Sequence, residues 1–565
     1  MTDAGWPRMG NDAVRAALTA PDAPFEMDEA MIGGVATRVW KHAPPTLRHL
    51  LLASRAHGDR VATILGDDRV SYDAQYRAAA TLARHLRTLG IGKGDRVALA
   101  MRNLPEWPVA FFAIAAIGAI CVPLNAWWSA GELAFGLADS GARLVLCDGE
   151  RQARIGACDV PMLVARGDGS LEGVIGRPAD WATLPEVALP EVDLAADDPA
   201  TIFYTSGTTG RPRGALGSHR NLTTNILSSA YVAARAMLRR GEMPPSPPPP
   251  RTGLMVIPFF HVTACSAVLM YMTASGGTIV LMHKWDAGEA LALIARERVQ
   301  LTGGVPTIAW QLLEHPDRAA HDLSSLEQVS YGGAPAASDL VTRIHDDLRA
   351  MPGNGWGMTE TMATVTQHSG EDYLARPTSC GLPVPVADLK IMDRDGQVEL
   401  PANAVGELWA RGPMIVHGYW RRPEESAATF VDGWVRTGDI ARIDAEGYLH
   451  IVDRAKDVII RGGENIYSIE VEEALYAHPA VTDAAVVARP HRTLGEEPVA
   501  VVHLSPGADA GEAELQAFVR ARLAAFKVPA AIRFSDTLLP RNANGKIVKD
   551  ALRRSLIGEN GVTPP

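Results

Sequence analysis

At 565 residues the chain is too long for one small core, and its length implies several structural units. Its 47% hydrophobic and 21% charged content are those of an ordinary soluble globular protein. The formal net charge of −11 argues against a general binder of nucleic acid or anionic membrane, so a bound nucleotide would rely on local positive groups.

The opening MTDAGWPRMGNDAV has no apolar core and is not read as a signal peptide, and residues 1–43 are weakly patterned enough to suggest an extended lead-in. From Leu47 a helix-and-strand alternation begins. Tyr72–Leu89 has apolar residues at helical spacing, Arg96–Ala100 reads as a short buried strand, and Val109–Ile120 reads as a helix. The apolar run Val109–Val122 is too short to span a bilayer and stops at Pro123, so no transmembrane segment is expected. Ala142–Cys147 and Pro161–Val164 continue as strands, and the alternation predicts a doubly wound parallel sheet with helices on both faces. Asn221–Leu238 is a further helix, and the proline run 244–250 is a surface spacer. Beyond Leu389 short alternating strands mark a β-rich unit. The expected division is 1–452 as a large α/β domain with a β-rich subdomain at about 385–452, a hinge at 453–456, and a small α+β domain at 457–565. The five cysteines (Cys121, Cys147, Cys158, Cys265, Cys380) include no C-x-x-C pair, a reduced intracellular pattern that fits a cytoplasmic protein.

The most informative stretch is Tyr204–Ala215, YTSGTTGRPRGA, which follows the strand-like Ile202-Phe203. Thr205, Ser206, Thr208 and Thr209 offer hydroxyls, Gly207 and Gly210 free the backbone, and Arg211 and Arg213 supply charge, a surface suited to a polyphosphate. No Lys-Ser or Lys-Thr pair follows, so this is not the usual P-loop, and a polar linker is the plain alternative. In Gly355-Trp356-Gly357-Met358-Thr359-Glu360, two glycines would let a ring lie flat against a base, Thr359 would sit near a phosphate, and Glu360 could hold Mg²⁺. Asp439 closes the run Trp434–Asp439, where a solvated surface aspartate is the plain reading. Arg461, Gly462 and Gly463 follow a strand and precede a helix, where the glycines permit passage of a thin ligand. Lys546 stands in a basic Gly- and Asn-rich loop, Pro540–Lys546, ahead of a last helix. No G-x-S-x-G elbow, H-E-x-x-H or paired metal-ligand cluster is present.

In their order along the chain these motifs resemble the adenylate-forming superfamily: acyl-CoA synthetases, luciferases and the adenylation domains of peptide synthetases. The resemblance runs from about Leu47 to Lys549, with two departures: Arg213 where a lysine is usual, and Trp356 where a tyrosine is usual. It implies a phosphate loop at Thr205–Gly210 and Arg213, and adenine between Trp356 and the loop Gly332-Gly333-Ala334-Pro335. It also implies ribose on Asp439, Arg454 at ribose and phosphate, and Lys456 as the torsional hinge. The pantetheine arm of coenzyme A would pass Arg461–Gly463, with Lys546 as the catalytic lysine. Thr205, Arg213 and Glu360 would join it in catalysis, with Mg²⁺ on Glu360. His261 would line an acyl pocket where amino-acid-activating relatives carry an aspartate, so it argues for an acid without an α-amine. Val262, Cys265, Val305 and Gly332 complete that expected pocket, whose lining residues are small or apolar and favour a hydrophobic acid: fatty, aromatic or polycyclic.

The reading is therefore an ATP-dependent, AMP-forming acyl-CoA ligase whose partners are a small carboxylate, ATP and CoA, with no nucleic acid. A homodimer and the identity of the acid are left open. The alternatives weighed are an acyl-AMP ligase that loads a carrier protein, a luciferase-like oxygenase and a non-enzymatic nucleotide-binding regulator. The last is disfavoured by the presence of both Glu360 and Lys546.

Overall fold

A computed structural model describes residues 6–205, 212–332, 338–505, 507–541 and 546–558. Two large sheets dominate. The six-stranded sheet runs Gly214–Ser218, Pro199–Tyr204, Ile120–Pro123, Arg96–Ala100, Leu144–Asp148, Met162–Ala165, parallel except for the antiparallel first pair. The nine-stranded sheet is parallel through its middle, in the order Met351–Trp356, Gln328–Gly332, Leu301–Gly304, Thr252–Met255, Thr278–Leu281, Val61–Leu65. Its antiparallel margins are Leu382–Pro383 and Thr366–Ser369 at one edge and Asp68–Ser71 at the other. This is the expected doubly wound α/β architecture.

Helix Tyr72–Thr88 forms because Ser71 caps it, its Oγ accepting from the Ala74 amide, and because half of its buried residues are alanine. Ala78, Ala79, Ala80 and Ala83 let it lie close to helix Glu106–Ala116, every residue of which is buried. That second helix ends before the expected Ile120. Gly118, at φ +74°, turns the chain, and Ile120–Pro123 is already a strand. The helix after the phosphate loop spans His219–Arg240, held at one end by a Ser218–Asn221 capping box and closed at the other by Gly241 in the left-handed region. The proline run after it is exposed, as a spacer should be.

The lead-in is not extended. Asn11–Leu18 is a helix that packs Val14 and Leu18 with Tyr231, Val232 and Leu238, and Met27–Ile32 and Val35–Trp40 form a hairpin. Its glycine turn and the buried Trp40 and Phe25 give it order that local patterning does not reveal.

A five-stranded sheet (Asp388–Met392, Gly406–Arg411, Trp434–Ile443, Phe430–Val431, Leu449–Arg454) follows, then a second one built from Ile459–Arg461, Glu464–Ile466, Val481–His491, Gly495–Leu504 and Ala531–Phe534. The latter has its own core, including Ile459, Val471, Leu475, Val486, Val502, Leu515 and Ile532. Arg461–Ile466 is the tip and return strand of a hairpin, so the Gly462-Gly463 pair is a β-turn rather than a strand-to-helix loop. The helix of this segment is Glu512–Arg520, followed by a separate turn at Ala525–Lys527.

Between the two five-stranded sheets sits a buried polar joint. The Asp453 carboxylate, 1% exposed, accepts from the Ser468 amide and from Ser468 Oγ at 3.0 Å. Lys549 Nζ donates to Ser468 Oγ at 2.6 Å and pairs with Glu472 at 2.7 Å, while Arg553 pairs with Asp457 at 2.6 Å. Cys121, Cys147 and Cys265 are buried, Cys380 is half-buried, and Cys158 is exposed; all are free thiols.

Candidate active site

The carboxyl ends of the parallel strands of both large sheets converge, which is where ligands bind in such folds. Asn103, just beyond strand Arg96–Ala100, joins the two sheets: its Nδ2 donates to the Ile257 carbonyl at 3.0 Å and its Oδ1 accepts from the Phe259 amide at 2.8 Å. The ring of Trp127 meets Phe260 edge-on at 5.2 Å across the same seam, and Phe260 in turn packs on His261 at 4.5 Å.

The expected phosphate loop is the tip of the antiparallel hairpin Pro199–Tyr204/Gly214–Ser218. Its neck is tied by the Thr205 amide donating to the Arg213 carbonyl at 2.9 Å and the Arg213 amide to Thr205 Oγ1 at 3.3 Å. Ser206, Gly207, Thr208, Thr209, Gly210 and Arg211 lie outside the described residues, as do Gly333, Ala334 and Pro335. The Arg213 guanidinium lies over the Tyr419 ring, 4.5 Å from its centroid, and reaches Glu425 at 3.3 Å. Tyr419 also touches Glu360: its hydroxyl donates to Oε1 at 2.6 Å, and both residues are buried. Burial and the Glu360 charge push the Tyr419 phenol up, so it stays a donor.

Glu360 sits on a one-turn helix, Thr359–Thr361, after a tight bend. At Gly357 a Cβ would lie 1.4 Å from the Ala363 carbonyl oxygen, so only glycine fits, and Met362 and Ala363 themselves adopt φ +43° and +92°. Met358 closes the bend, its amide donating to Thr361 Oγ1 at 2.9 Å. Asn225 braces it from the long helix, giving Nδ2 to the Met362 carbonyl at 2.7 Å and to Ser266 Oγ at 2.8 Å, and accepting from the Thr364 amide at 3.2 Å. Ser266 belongs to a π-helical stretch, Thr263–Leu269, a geometry frequent at functional sites.

Gly332 and Gly355 are register partners on adjacent parallel strands. The Trp356 ring is packed in the core and 8% exposed, so it offers little free face to a base; its indole Nε1 instead donates to Asp439 Oδ2 at 2.8 Å. Arg454, the register partner of Asp439, approaches Oδ1 at 3.6 Å.

Lys546 is brought to this group from the far end of the chain. Burial first, then the nearby Arg454, lower its ammonium pKa to about 8, against the opposing pull of Asp439 and Glu360; Lys456 adds to the repulsion. Lys456 is itself lowered, chiefly by burial. His261 is pushed down to about 3 by burial and then by Lys546, so its imidazole is neutral; its Nε2 is buried with no hydrogen-bond partner among the described residues. Val262 and Cys265 are buried beside it, and Val305 follows the Leu301–Gly304 strand as the N-cap of the next helix. Arg461, Gly462 and Gly463 are not part of this cluster: the Gly462 amide bonds the Leu494 carbonyl at 2.7 Å, and a Cβ on Gly463 would meet nothing within 4 Å.

Sequence reasoning passed over Tyr419, Asn225 and Asn103. Each makes its contacts only after distant segments meet, and none stands in a recognisable motif.

Comparison with known proteins agrees with this geometry. The AMP-binding enzyme family model matches residues 52–420, and its AMP-binding enzyme C-terminal domain matches 470–546. A feruloyl-CoA synthase of an Amycolatopsis species is 36% identical over 86% of this chain and 94% of its own length. A long-chain-fatty-acid–CoA ligase of Mycobacterium tuberculosis is 33% identical over 86% and 93%. Among solved structures, an o-succinylbenzoate coenzyme A synthetase of Bacillus subtilis in complex with ATP and magnesium ion superimposes with a TM-score of 0.73, at 30% identity, covering 90% of this chain and 99% of that one. The chain belongs to the AMP-binding enzymes, in the adenylate-forming acyl-CoA ligase superfamily, and the curated ligases it resembles are AMP-forming acid–thiol ligases.

Proposed function

We propose that this chain activates a hydrophobic carboxylic acid with ATP and passes the acyl group to coenzyme A. The observation that carries the reading is the convergence of Arg454, Asp439, Glu360 and a neutral, buried His261 around Lys546. In the first half-reaction the acid's carboxylate oxygen attacks the α-phosphorus of ATP, and pyrophosphate leaves, giving acyl-AMP. Lys546 offsets the negative charge gathered there, Thr205 and Arg213 hold the neck of the phosphate loop, and Asp439 with Arg454 takes the ribose. In the second, the CoA sulfur attacks the acyl carbon, the thiol proton passes to solvent, and AMP leaves.

Lys546 and the Gly462-Gly463 turn belong to the same C-terminal segment but only Lys546 faces the cluster. We assign the two half-reactions to two orientations of this segment about residues 453–456, with Gly463 admitting the pantetheine arm after rotation.

The residues present fit Mg²⁺. Glu360 is a hard oxygen donor, and among the described residues its Oε2 accepts no hydrogen bond. No cluster of three or more metal ligands exists among the described residues, so the remaining ligands would be substrate phosphates and water. Bound there, the ion would neutralise phosphate charge. An acid without an α-amine fits His261, and the apolar Val262 and Cys265 favour a hydrophobic one, in keeping with the names of the similar ligases. No described helix is long and apolar enough to cross a membrane.

The test is pyrophosphate release and AMP formation across a panel of carboxylic acids, with and without CoA. The reading requires acid-dependent pyrophosphate release and CoA-dependent thioester. Pyrophosphate release with no thioester on CoA would point instead to a protein-borne thiol, and no acid-dependent release would reject the reading.

A further inference from the structure

The Asp439 carboxylate is held from two sides by residues that belong to different parts of the fold. Trp356 ends strand Met351–Trp356 in the nine-stranded sheet and belongs to the same buried cluster as Val365, Val384, Val386 and Leu408. Its backbone is fixed as well: the Trp356 amide donates to Thr366 Oγ1 at 3.3 Å, and its carbonyl accepts from the Val365 amide at 3.0 Å. From this fixed place Nε1 donates to Asp439 Oδ2 at 2.8 Å. On the other oxygen, Oδ1, the partner is Arg454 at 3.6 Å. Arg454 is the last residue of its strand and the neighbour of Asp453, which carries the polar joint to the C-terminal segment. One restraint on Asp439 is therefore rooted in the static sheet and the other in the joint.

We infer that Trp356 is a positioning residue for the nucleotide ribose: its indole N–H fixes the Asp439 carboxylate so that the remaining lone pairs face the vicinal hydroxyls, and it keeps doing so when the C-terminal segment moves and takes Arg454 with it. This inference rests on the ribose role proposed for Asp439. It is specific to tryptophan at this position, because the indole N–H is a donor only and cannot turn away to accept. A carboxylate oxygen retains a second lone pair after accepting one bond, so holding by Trp356 and holding of the ribose are compatible. The consequence for chemistry is that ribose stays anchored through both half-reactions, whereas contacts through Arg454 depend on the orientation of the segment.

The experiment measures binding of ATP, 2′-deoxy-ATP and 3′-deoxy-ATP by calorimetry to the full chain and to Trp356→Phe. Losing one hydrogen bond to a charged group should weaken ATP by about tenfold, and the deoxy nucleotides by much less, so the preference for ribose shrinks. Placing the same change in an Asp439→Asn background should then cost ATP little further. In the second half-reaction, run from supplied acyl-AMP and CoA, Trp356→Phe should raise KM for acyl-AMP as well. Should the phenylalanine variant fail to fold, site-specific benzothienylalanine, in which sulfur replaces the N–H at unchanged shape, serves in its place. Equal weakening of ribo- and deoxynucleotides, or additive losses with Asp439→Asn, would overturn the inference in favour of a ring that only packs. A KM for acyl-AMP left unchanged would overturn the claim that the restraint persists after movement. A wild-type chain that binds ATP without preferring it over either deoxy nucleotide would instead remove the ribose role of Asp439, and the inference with it.

Discussion

The Tyr419 hydroxyl donates to Glu360 Oε1 at 2.6 Å, and the face of the same ring carries the Arg213 guanidinium at 4.5 Å. One aromatic side chain thus joins the base of the phosphate loop to the carboxylate proposed for Mg²⁺. Backbone pairing supports the link: the Leu216 amide donates to the Gly418 carbonyl at 2.9 Å and the Trp420 amide to the Gly214 carbonyl at 2.7 Å. Tyr419→Phe keeps the ring but leaves a buried carboxylate without its donor. It should lower the rate of acyl-AMP formation by about tenfold and raise the Mg²⁺ concentration for half-maximal pyrophosphate release. A variant with wild-type Mg²⁺ dependence would show that Glu360 does not need this contact.

Lys546 is expected to impose an alkaline limb on one half-reaction only. Its ammonium pKa is lowered to about 8, so the charged form is present below that pH and is lost as pH rises through it. Acyl-AMP formation should fall above pH 8 on this account, while thioester formation from supplied acyl-AMP shows no such limb. Lys546→Ala should nearly abolish the first reaction at every pH and spare the second. Rates followed separately by pyrophosphate release and by thioester absorbance decide this; loss of both reactions in equal proportion would remove the two-orientation mechanism.

His261 should contribute no limb near the ordinary imidazole pKa. Its pKa is lowered to about 3, so it is neutral over the whole working range, and an acid-side limb near pH 6.5 that vanishes in His261→Ala would contradict its placement. His261→Asp puts an unpaired carboxylate in the same buried space, and kcat/KM for hydrophobic acids should drop by about tenfold or more. Equal activity across the acid panel would take His261 out of the acyl site.

Two glycines should fail differently. At Gly357 an added Cβ would lie 1.4 Å from the Ala363 oxygen, so Gly357→Ala must displace the bend that carries Glu360 and should lower both Tm and acyl-AMP formation. Gly463 faces open space at φ +90°, so Gly463→Ala meets no atom and costs only backbone strain, about 1–3 kcal/mol. With folding intact, it should form acyl-AMP normally and slow thioester formation. A Gly463 variant equally impaired in both steps would argue against passage of the pantetheine arm there.

Much of the large-domain architecture was legible because its strands are apolar runs between periodic helices, and the motifs stand at strand ends such as Tyr204, Gly332 and Trp356. The hairpin near the start was not: its order comes from Trp40 and Phe25 packing on Tyr231, roughly two hundred residues away in sequence, and local periodicity carries no such information. The same holds within the site. That Trp356 addresses Asp439 rather than offering a broad face, and that Arg213 rests on Tyr419, depends on which distant segments meet. Residue type announced the aromatic, the acid and the base; only the fold fixed their partners.

The uneven exposure of the cysteines makes the molecule selectively labelable. Cys121 and Cys265 are buried with thiols held well above their usual range, Cys147 and Cys380 are pushed up to about 12, and Cys158 alone is exposed. A maleimide dye should therefore react first at Cys158, which lies ahead of the strand Met162–Ala165 at the margin of the six-stranded sheet. From that stationary mark, a second dye beyond residue 457 would turn each passage between the two half-reactions into a change of distance that can be watched one molecule at a time.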